Sequence, residues 1–222
     1  MQRPWNGGFG EMAVAYAGGS TYTGEVSTRI AETSPTMERD EAAIIRDCRR
    51  GSQEAFRELF DRFHKRAYWI ARNMVNRHEA ASEIAQDAFV RVYQAIRTFD
   101  VERKFGTWLY QIVVNLCIDH LRRLRANRET AQESMAEVAA KGKSPVQRLQ
   151  DEELRERVEK VMVRLPVKYR AVLTLRDLQG FSGEEAAEIL KCNAATLRWR
   201  LFRARKLFKE YWEKTFNELP AS

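Results

Sequence analysis

The sequence predicts an all-α protein: two small helical domains joined by a flexible linker, the second a four-helix domain with a helix-turn-helix. Three observations predict it. Apolar residues recur at the helical i, i+3, i+4, i+7 spacing from about Glu38 to Leu124 and again from Leu154 onward. Between these stretches, Ala126 to about Gln150 is polar and broken by Lys-Gly-Lys-Ser-Pro. Pro166, Ser182 and Asn193 then stand where helices stop and start.

Taken in order, residues 1–37 are rich in Gly, Ser, Thr and Ala without a periodic apolar pattern, and read as an unstructured extension. Residues 38–125 form the first helical unit. Ile44, Ile45 and Cys48 lead to Gly51-Ser52, a stop and restart signal, after which Phe56, Leu59, Phe60, Phe63, Ala67 and Ile70 make an aromatic core stripe. A helix from about Glu79 to Thr98 buries Ile84, Ala88, Val92 and Ile96 and leaves Glu83, Gln86, Asp87 and Arg91 to solvent.

A short polar loop, Arg97 to Phe105, follows, with a phenylalanine near each end of its core. The next helix, Phe105 to Arg123, carries Leu109, Ile112, Val113, Leu116, Cys117, His120, Leu121 and Leu124 on one stripe. Thr107, Trp108, Gln111, Asn115 and Arg122 share the opposite face, with Arg123, Arg125 and Arg128 just beyond. An exposed indole, hydroxyl and carboxamide groups and a string of guanidiniums are what unpaired nucleic acid needs, since bases stack on rings and phosphates pair with arginines. The plainer alternative is that Trp108 caps the core above an ordinary solvated basic face.

Residues 126–150 read as the linker and 151–212 as the second unit, with 213–222 a tail. Leu154, Val158, Val161, Met162 and Leu165 form a stripe that Pro166 ends, and Val172, Leu173 and Leu175 belong to the next helix. Ser182 and Glu185 have capping-box spacing at the start of a helix from Gly183 to Leu190. Asn193 caps a last helix running to about Tyr211, which buries Leu197, Leu201, Ala204 and Phe208. Opposite lie Ala195, Trp199, Phe202, Arg203 and Lys206, flanked by Arg198 and Arg200, the composition of a helix that enters the major groove.

Charge agrees with a polyanionic partner: the chain is +7 with a pI near 9.4, and its 31 acidic residues confine the positive charge to patches. No apolar run reaches the length of a membrane span, and no signal peptide opens the chain, which predicts a cytoplasmic protein with no membrane insertion. Cys48, Cys117 and Cys192 lie too far apart for a zinc motif, and His64, His78 and His120 are scattered, so no metal, cofactor or catalytic residue is expected. Asp119-His120 comes nearest to a catalytic pair, and its helical position suits a structural role.

Several motifs in order then carry a resemblance. Glu83-Ile-Ala-Gln-Asp-Ala-Phe89, Phe105-Gly-Thr-Trp-Leu-Tyr-Gln-Ile112, Asn115, Asp119-His-Leu-Arg-Arg123, Leu165-Pro, Tyr169-Arg, Leu175-Arg-Asp-Leu178, Phe181-Ser, Glu185-Ala-Ala-Glu-Ile-Leu190 and Thr196 to Lys206 resemble a bacterial RNA polymerase sigma factor. The likeness is to the two-domain, extracytoplasmic-function group of the sigma-70 family and covers about Asp40 to Glu210. It implies a non-enzymatic protein that binds core RNA polymerase and directs promoter-specific initiation. Its first domain melts the minus-ten element and its second reads the minus-thirty-five element in duplex DNA.

Carried across, Glu83, Gln86 and Asp87 match the helix that binds the polymerase clamp helices. Phe105, Thr107, Trp108, Gln111 and Asn115 match the minus-ten region, with Arg97, Lys104, Arg122 and Arg123 beside them. Thr196, Arg198, Trp199, Arg200, Arg203 and Lys206 match the minus-thirty-five helix. Lys191 and Ala195 stand where the family usually has glycine, Trp199 where a small polar residue is common, and Gly106 where the usual occupant is larger. Family members are commonly held by an anti-sigma factor, which makes one an expected partner. The competing function is a stand-alone helix-turn-helix regulator on a duplex operator, which accounts for the second unit and leaves the Trp108 face without a purpose.

Overall fold

A computed structural model describes residues 40–130 and 146–216, with side chains described for 40–127 and 153–216. The expected N-terminal extension, the middle of the linker and the end of the tail lie outside the described residues. Eight α-helices follow one another, with no strand among the described residues: α1 Glu41–Arg49, α2 Gln53–Val75, α3 His78–Ala95, α4 Phe105–Thr130, α5 Val146–Met162, α6 Val167–Leu173, α7 Gly183–Ile189 and α8 Ala194–Phe216. A single 3-10 turn, Ile96–Thr98, extends α3, and a π-turn, Thr174–Leu178, extends α6.

Local chemistry sets these boundaries. Asp40 and Ser52 cap α1 and α2, each accepting a backbone N–H, the second at 3.2 Å from Ala55. Asn76 ends α2 in the left-handed conformation, φ 55°, and Arg72 donates to its side chain. The Ser182–Glu185 capping box forms as the spacing predicts, with bonds of 2.9 and 3.1 Å, and Asn193 Oδ1 accepts from Thr196 N at 2.7 Å.

In the first unit α2, α3 and α4 surround Leu59, Ile70, Met74, Ala81, Ala88, Leu109 and Val113, all buried. Full burial of the leucine, isoleucine, methionine and valine side chains among them stabilises by about 1.5–3 kcal/mol each before chain entropy is counted. The second unit has its own cluster, Val158, Val161, Leu165, Leu173, Ala204, Phe208 and Trp212, between α5, α6 and α8. The helices bordering the linker run further than the sequence suggests: α4 passes the expected end at residue 125 and continues to Thr130, and α5 begins before 151, at Val146.

The two units are not merely tethered. Ala171, Val172, Leu175, Phe181, Ala186, Ala187, Ile189 and Leu197 of the second belong to the same buried cluster as the core of the first. Arg170, buried, donates to Met74 O at the end of α2 (2.7 Å), to Leu165 O (3.3 Å) and to Val163 O. Burial lowers its pKa to about 10, yet its partners are carbonyls at the ends of α2 and α5, where the helix dipole favours a cation. Arg72 adds an ion pair to Glu159 at 3.1 Å.

Candidate nucleic-acid interface

The first candidate surface lies on α3. Glu83, Gln86 and Asp87 are all exposed and fall on one stripe, as the periodicity predicts. The stripe continues into Val90 and Tyr93, which are 55% and 56% exposed although apolar or aromatic. The buried stripe of α3 is complete without these two, so the apolar periodicity does not single them out. The available signal is spacing: Val90 lies at i+4 from Gln86 and i+3 from Asp87, and Tyr93 at i+3 from Val90. Tyr93 is held edge-on by Phe56 at 5.0 Å, so a partner would meet an ordered ring.

The second surface is α4 with the loop before it, and here the structure corrects the sequence. Phe105, expected at the DNA face, is fully buried among Phe63, Phe99 and Trp108, with ring centroids 5.0, 5.9 and 5.9 Å away. It starts the helix, and the first inward-facing position of a helix closes the core. Its N–H donates to the Glu41 carboxylate at 3.2 Å. Trp108 is half-buried rather than exposed, stacked on Phe99 at 4.6 Å. Thr107 and Gln111 are buried, at 6% and 7% exposure. Gly106 permits the crowding: a Cβ there would stand 3.1 Å from the Phe63 ring and 3.3 Å from Tyr110. Asn115, Arg97, Lys104, Arg122 and Arg123 are exposed as expected, Arg122 beside Asp119 at 3.5 Å.

What covers Gln111 is the second unit. Gln111 Nε2 donates to Glu188 O of α7 at 3.4 Å, Arg103 and Lys104 approach Glu188 and Glu185 at 3.8 and 3.7 Å, and Tyr110 meets Phe181 edge-on at 5.4 Å. Arg66 of α2 completes the clasp, its guanidinium 3.8 Å from the Phe181 ring centroid and donating to Gln179 O at 2.6 Å. The Ser182 N–H, the Ser182 hydroxyl, Lys104 and Arg66 hold the Glu185 carboxyl below its ordinary pKa against the opposing effect of burial. The first helix of the helix-turn-helix therefore presents carboxylates to the basic loop of the first unit.

The third surface is α8. Its buried side carries Leu197, Ala204, Phe208 and Trp212, with Leu201 half-buried. Arg198, Trp199 and Lys206 are exposed, Thr196, Arg200 and Arg203 half-buried, and Phe202 is 70% exposed. Trp199, 57% exposed, leans toward Tyr169 at 6.3 Å. Arg205 is held by Asp177 through two bonds of 2.6 and 3.0 Å, which fix α8 to the π-turn. Lys191, between α7 and α8, has φ 48°, the left-handed region glycine occupies without cost. Cys117, buried, has its thiol pushed up to about 12 and is inert, and no group of three or more metal-ligating side chains occurs among the described residues. No helix among the described residues is long and apolar enough to cross a membrane.

A helix-turn-helix with a basic, aromatic second helix, joined to a helical unit bearing its own basic and aromatic face, defines a two-module DNA-binding protein. Comparison with known proteins makes the class specific. Residues 59–127 match the family model of sigma-70 region 2, and residues 155–208 match that of sigma-70 region 4. The chain is 31% identical over 174 residues to the ECF RNA polymerase sigma factor SigW of Bacillus subtilis, spanning 75% of this chain and 93% of that protein. It is 31% identical over 191 residues to the RNA polymerase sigma-H factor of Pseudomonas aeruginosa, covering 82% and 98%.

Among solved structures the fold is similar to that of CnrH in complex with the cytosolic domain of CnrY, at TM-score 0.59 and 24% identity over 78% of this chain and 97% of that one. It is also similar to the sigma factor RpoE of Bartonella quintana in complex with the anti-sigma factor NepR, at TM-score 0.56 and 22% identity over 71% and 96%. The chain belongs to the extracytoplasmic-function group of the sigma-70 family and is an RNA polymerase sigma factor.

Proposed function

We propose the following division of work within this sigma factor. Glu83, Gln86 and Asp87, joined by Val90 and Tyr93, dock on the clamp helices of core polymerase. Trp108, Asn115, Thr107 and Gln111, with the basic groups Arg97, Lys104, Arg122 and Arg123, engage the unpaired minus-ten strand, and Phe105 supports Trp108 from below. Thr196, Arg198, Trp199, Arg200, Arg203 and Lys206 read the minus-thirty-five duplex, Trp199 by contact with a thymine methyl or a sugar. Trp199→Ala should lower promoter affinity and relax sequence preference. Unchanged affinity and preference would remove Trp199 from the interface.

The observation that carries this reading is the contrast between the two DNA faces. The outer face of α8 is open, whereas Gln111 on α4 lies under α7. Docking on polymerase therefore has a task beyond adding affinity: it must lift α7 off the minus-ten face. Opening a base step costs about 1.4 kcal/mol and an aromatic stack returns about 1–3 kcal/mol, so a single stacked base cannot hold a bubble. The catalytic chemistry belongs to the polymerase, and the protein works in the cytoplasm. An anti-sigma factor, such as accompanies the Bartonella quintana relative, would hold the closed arrangement until the inducing signal arrives. Transcription with purified core polymerase and mapping of start sites tests the reading. Absence of new, chain-dependent starts overturns it.

A further inference from the structure

The last turn of α1 carries Arg46 and Arg49, with Arg50 at its C-cap, the i, i+3, i+4 spacing that gathers three side chains on one face. The 3-10 turn packs against α1 and brings Arg97 to the same place. These four arginines line an open hollow of about 420 Å³. Arg50 touches Asp47 at 3.4 Å, and Arg46, Arg49 and Arg97 form no ion pair with a described residue. A helix C-terminus favours one basic neighbour. That does not account for four guanidiniums from two separate elements around one space. Residues 46, 49 and 50 also precede the segment, 59–127, that matches the family model.

We propose that this hollow holds two successive phosphates of the unpaired promoter strand where it leaves the minus-ten element toward the start site. The proposal rests on the assignment of the minus-ten face above. Arg97 is two residues from Phe99, whose ring carries Trp108 at 4.6 Å, so the hollow borders the aromatic platform within about 7 Å of chain. In this proposal a strand whose base stacks on that platform runs on past the hollow, on the side away from the duplex that the second module reads, where it stays unpaired toward the start site. Guanidinium forks match phosphate oxygens in pairs, and of the four only Arg50 has a carboxylate partner among the described residues, Asp47 at 3.4 Å.

The test uses polymerase holoenzyme formed with the full chain and two fork-junction probes. One ends its unpaired strand at the last minus-ten base and the other extends it by a few nucleotides. Extension should raise affinity, and raising salt from about 50 to 200 mM should remove about sevenfold of that gain, the counterion release of two single-strand phosphates. A chain with Arg46→Gln, Arg49→Gln and Arg50→Gln should bind the short probe within twofold of wild type and lose the gain. The matching lysine variant should keep part of it. All three positions are exposed, and undiminished association with core polymerase certifies the fold. A triple variant that keeps the full gain overturns the proposal. So does a wild type indifferent to extension that instead binds inorganic tripolyphosphate through these arginines. Failure to bind even the short probe brings down the minus-ten assignment itself, and this site with it.

Discussion

Arg66 offers the most direct handle on the closed arrangement, because it belongs to α2 but spends its polar groups on the second unit. Arg66→Ala removes a 2.6 Å charge-assisted hydrogen bond to Gln179 O and a guanidinium stacked 3.8 Å over Phe181. The bond contributes about 1.5–3 kcal/mol and the cation–π contact about 0.5–1 kcal/mol at a partly wet site. Closure should therefore weaken by about 2–4 kcal/mol, a factor of about 30 to 1000 in the equilibrium between docked and undocked α7. The assay is hydrogen–deuterium exchange on the whole chain. α7 is seven residues long, too short to persist without the surface it packs on, so its amides report undocking. Exchange in 183–189 should accelerate by that factor, with the α5 and α8 segments around Phe208 unchanged. Arg66→Lys, which keeps the charge and loses the planar stack, should fall between. If α7 exchanges within twofold of wild type in the alanine variant, the clasp does not depend on Arg66 and the reasoning fails.

Three further outcomes are expected. Phe105→Ala should cost about 3–5 kcal/mol in denaturant unfolding, whereas Asn115→Ala should stay within about 0.5 kcal/mol. Equal, small effects would return Phe105 to the surface. Lys191→Gly relieves a left-handed residue, about 1–2 kcal/mol, against an unfolded-chain entropy penalty of about 0.4–1 kcal/mol. The urea midpoint should rise modestly, and a fall would contradict the strain at this turn. For His120, burial first, then Arg123 and Arg77, hold the imidazole below its ordinary pKa of 6.5. A folded-state pKa below the unfolded one means acidification protonates the unfolded chain first, so stability is fullest above about pH 6.5 and declines below it. His120→Gln should flatten that decline in urea titrations between about pH 7 and 5.5, and an undiminished slope would assign it to other groups.

Much of this was legible in the sequence. The capping box at Ser182, the Asn193 cap, the amphipathic α8 and the stripe of Glu83, Gln86 and Asp87 are local patterns, and local patterns need only the neighbouring residues to be read. Apart from the helix ends at the linker, what the sequence left unread is non-local. Phe105 and Trp108 carry the same apolar signal whether a ring faces water or Phe99. Nothing in the sequence singles out Arg170 for burial, because only the three-dimensional meeting of the ends of α2 and α5 supplies the carbonyls that satisfy it. Gln111 is polar and sits opposite the apolar stripe, so nothing local places it beneath α7. Ala186, Ala187 and Ile189 look like the inner face of a helix-turn-helix and also serve as a docking surface for α4, a double use that periodicity does not separate.

The shared cluster beneath Phe181 and Ala187 bears on how such proteins can be recombined. Grafting a relative's promoter-reading half onto this chain would set foreign side chains against Tyr110 and Arg66, so a chimera could keep both specificities and still lose its resting shape. Halves that recognise DNA separately would then be bound to evolve as a matched pair.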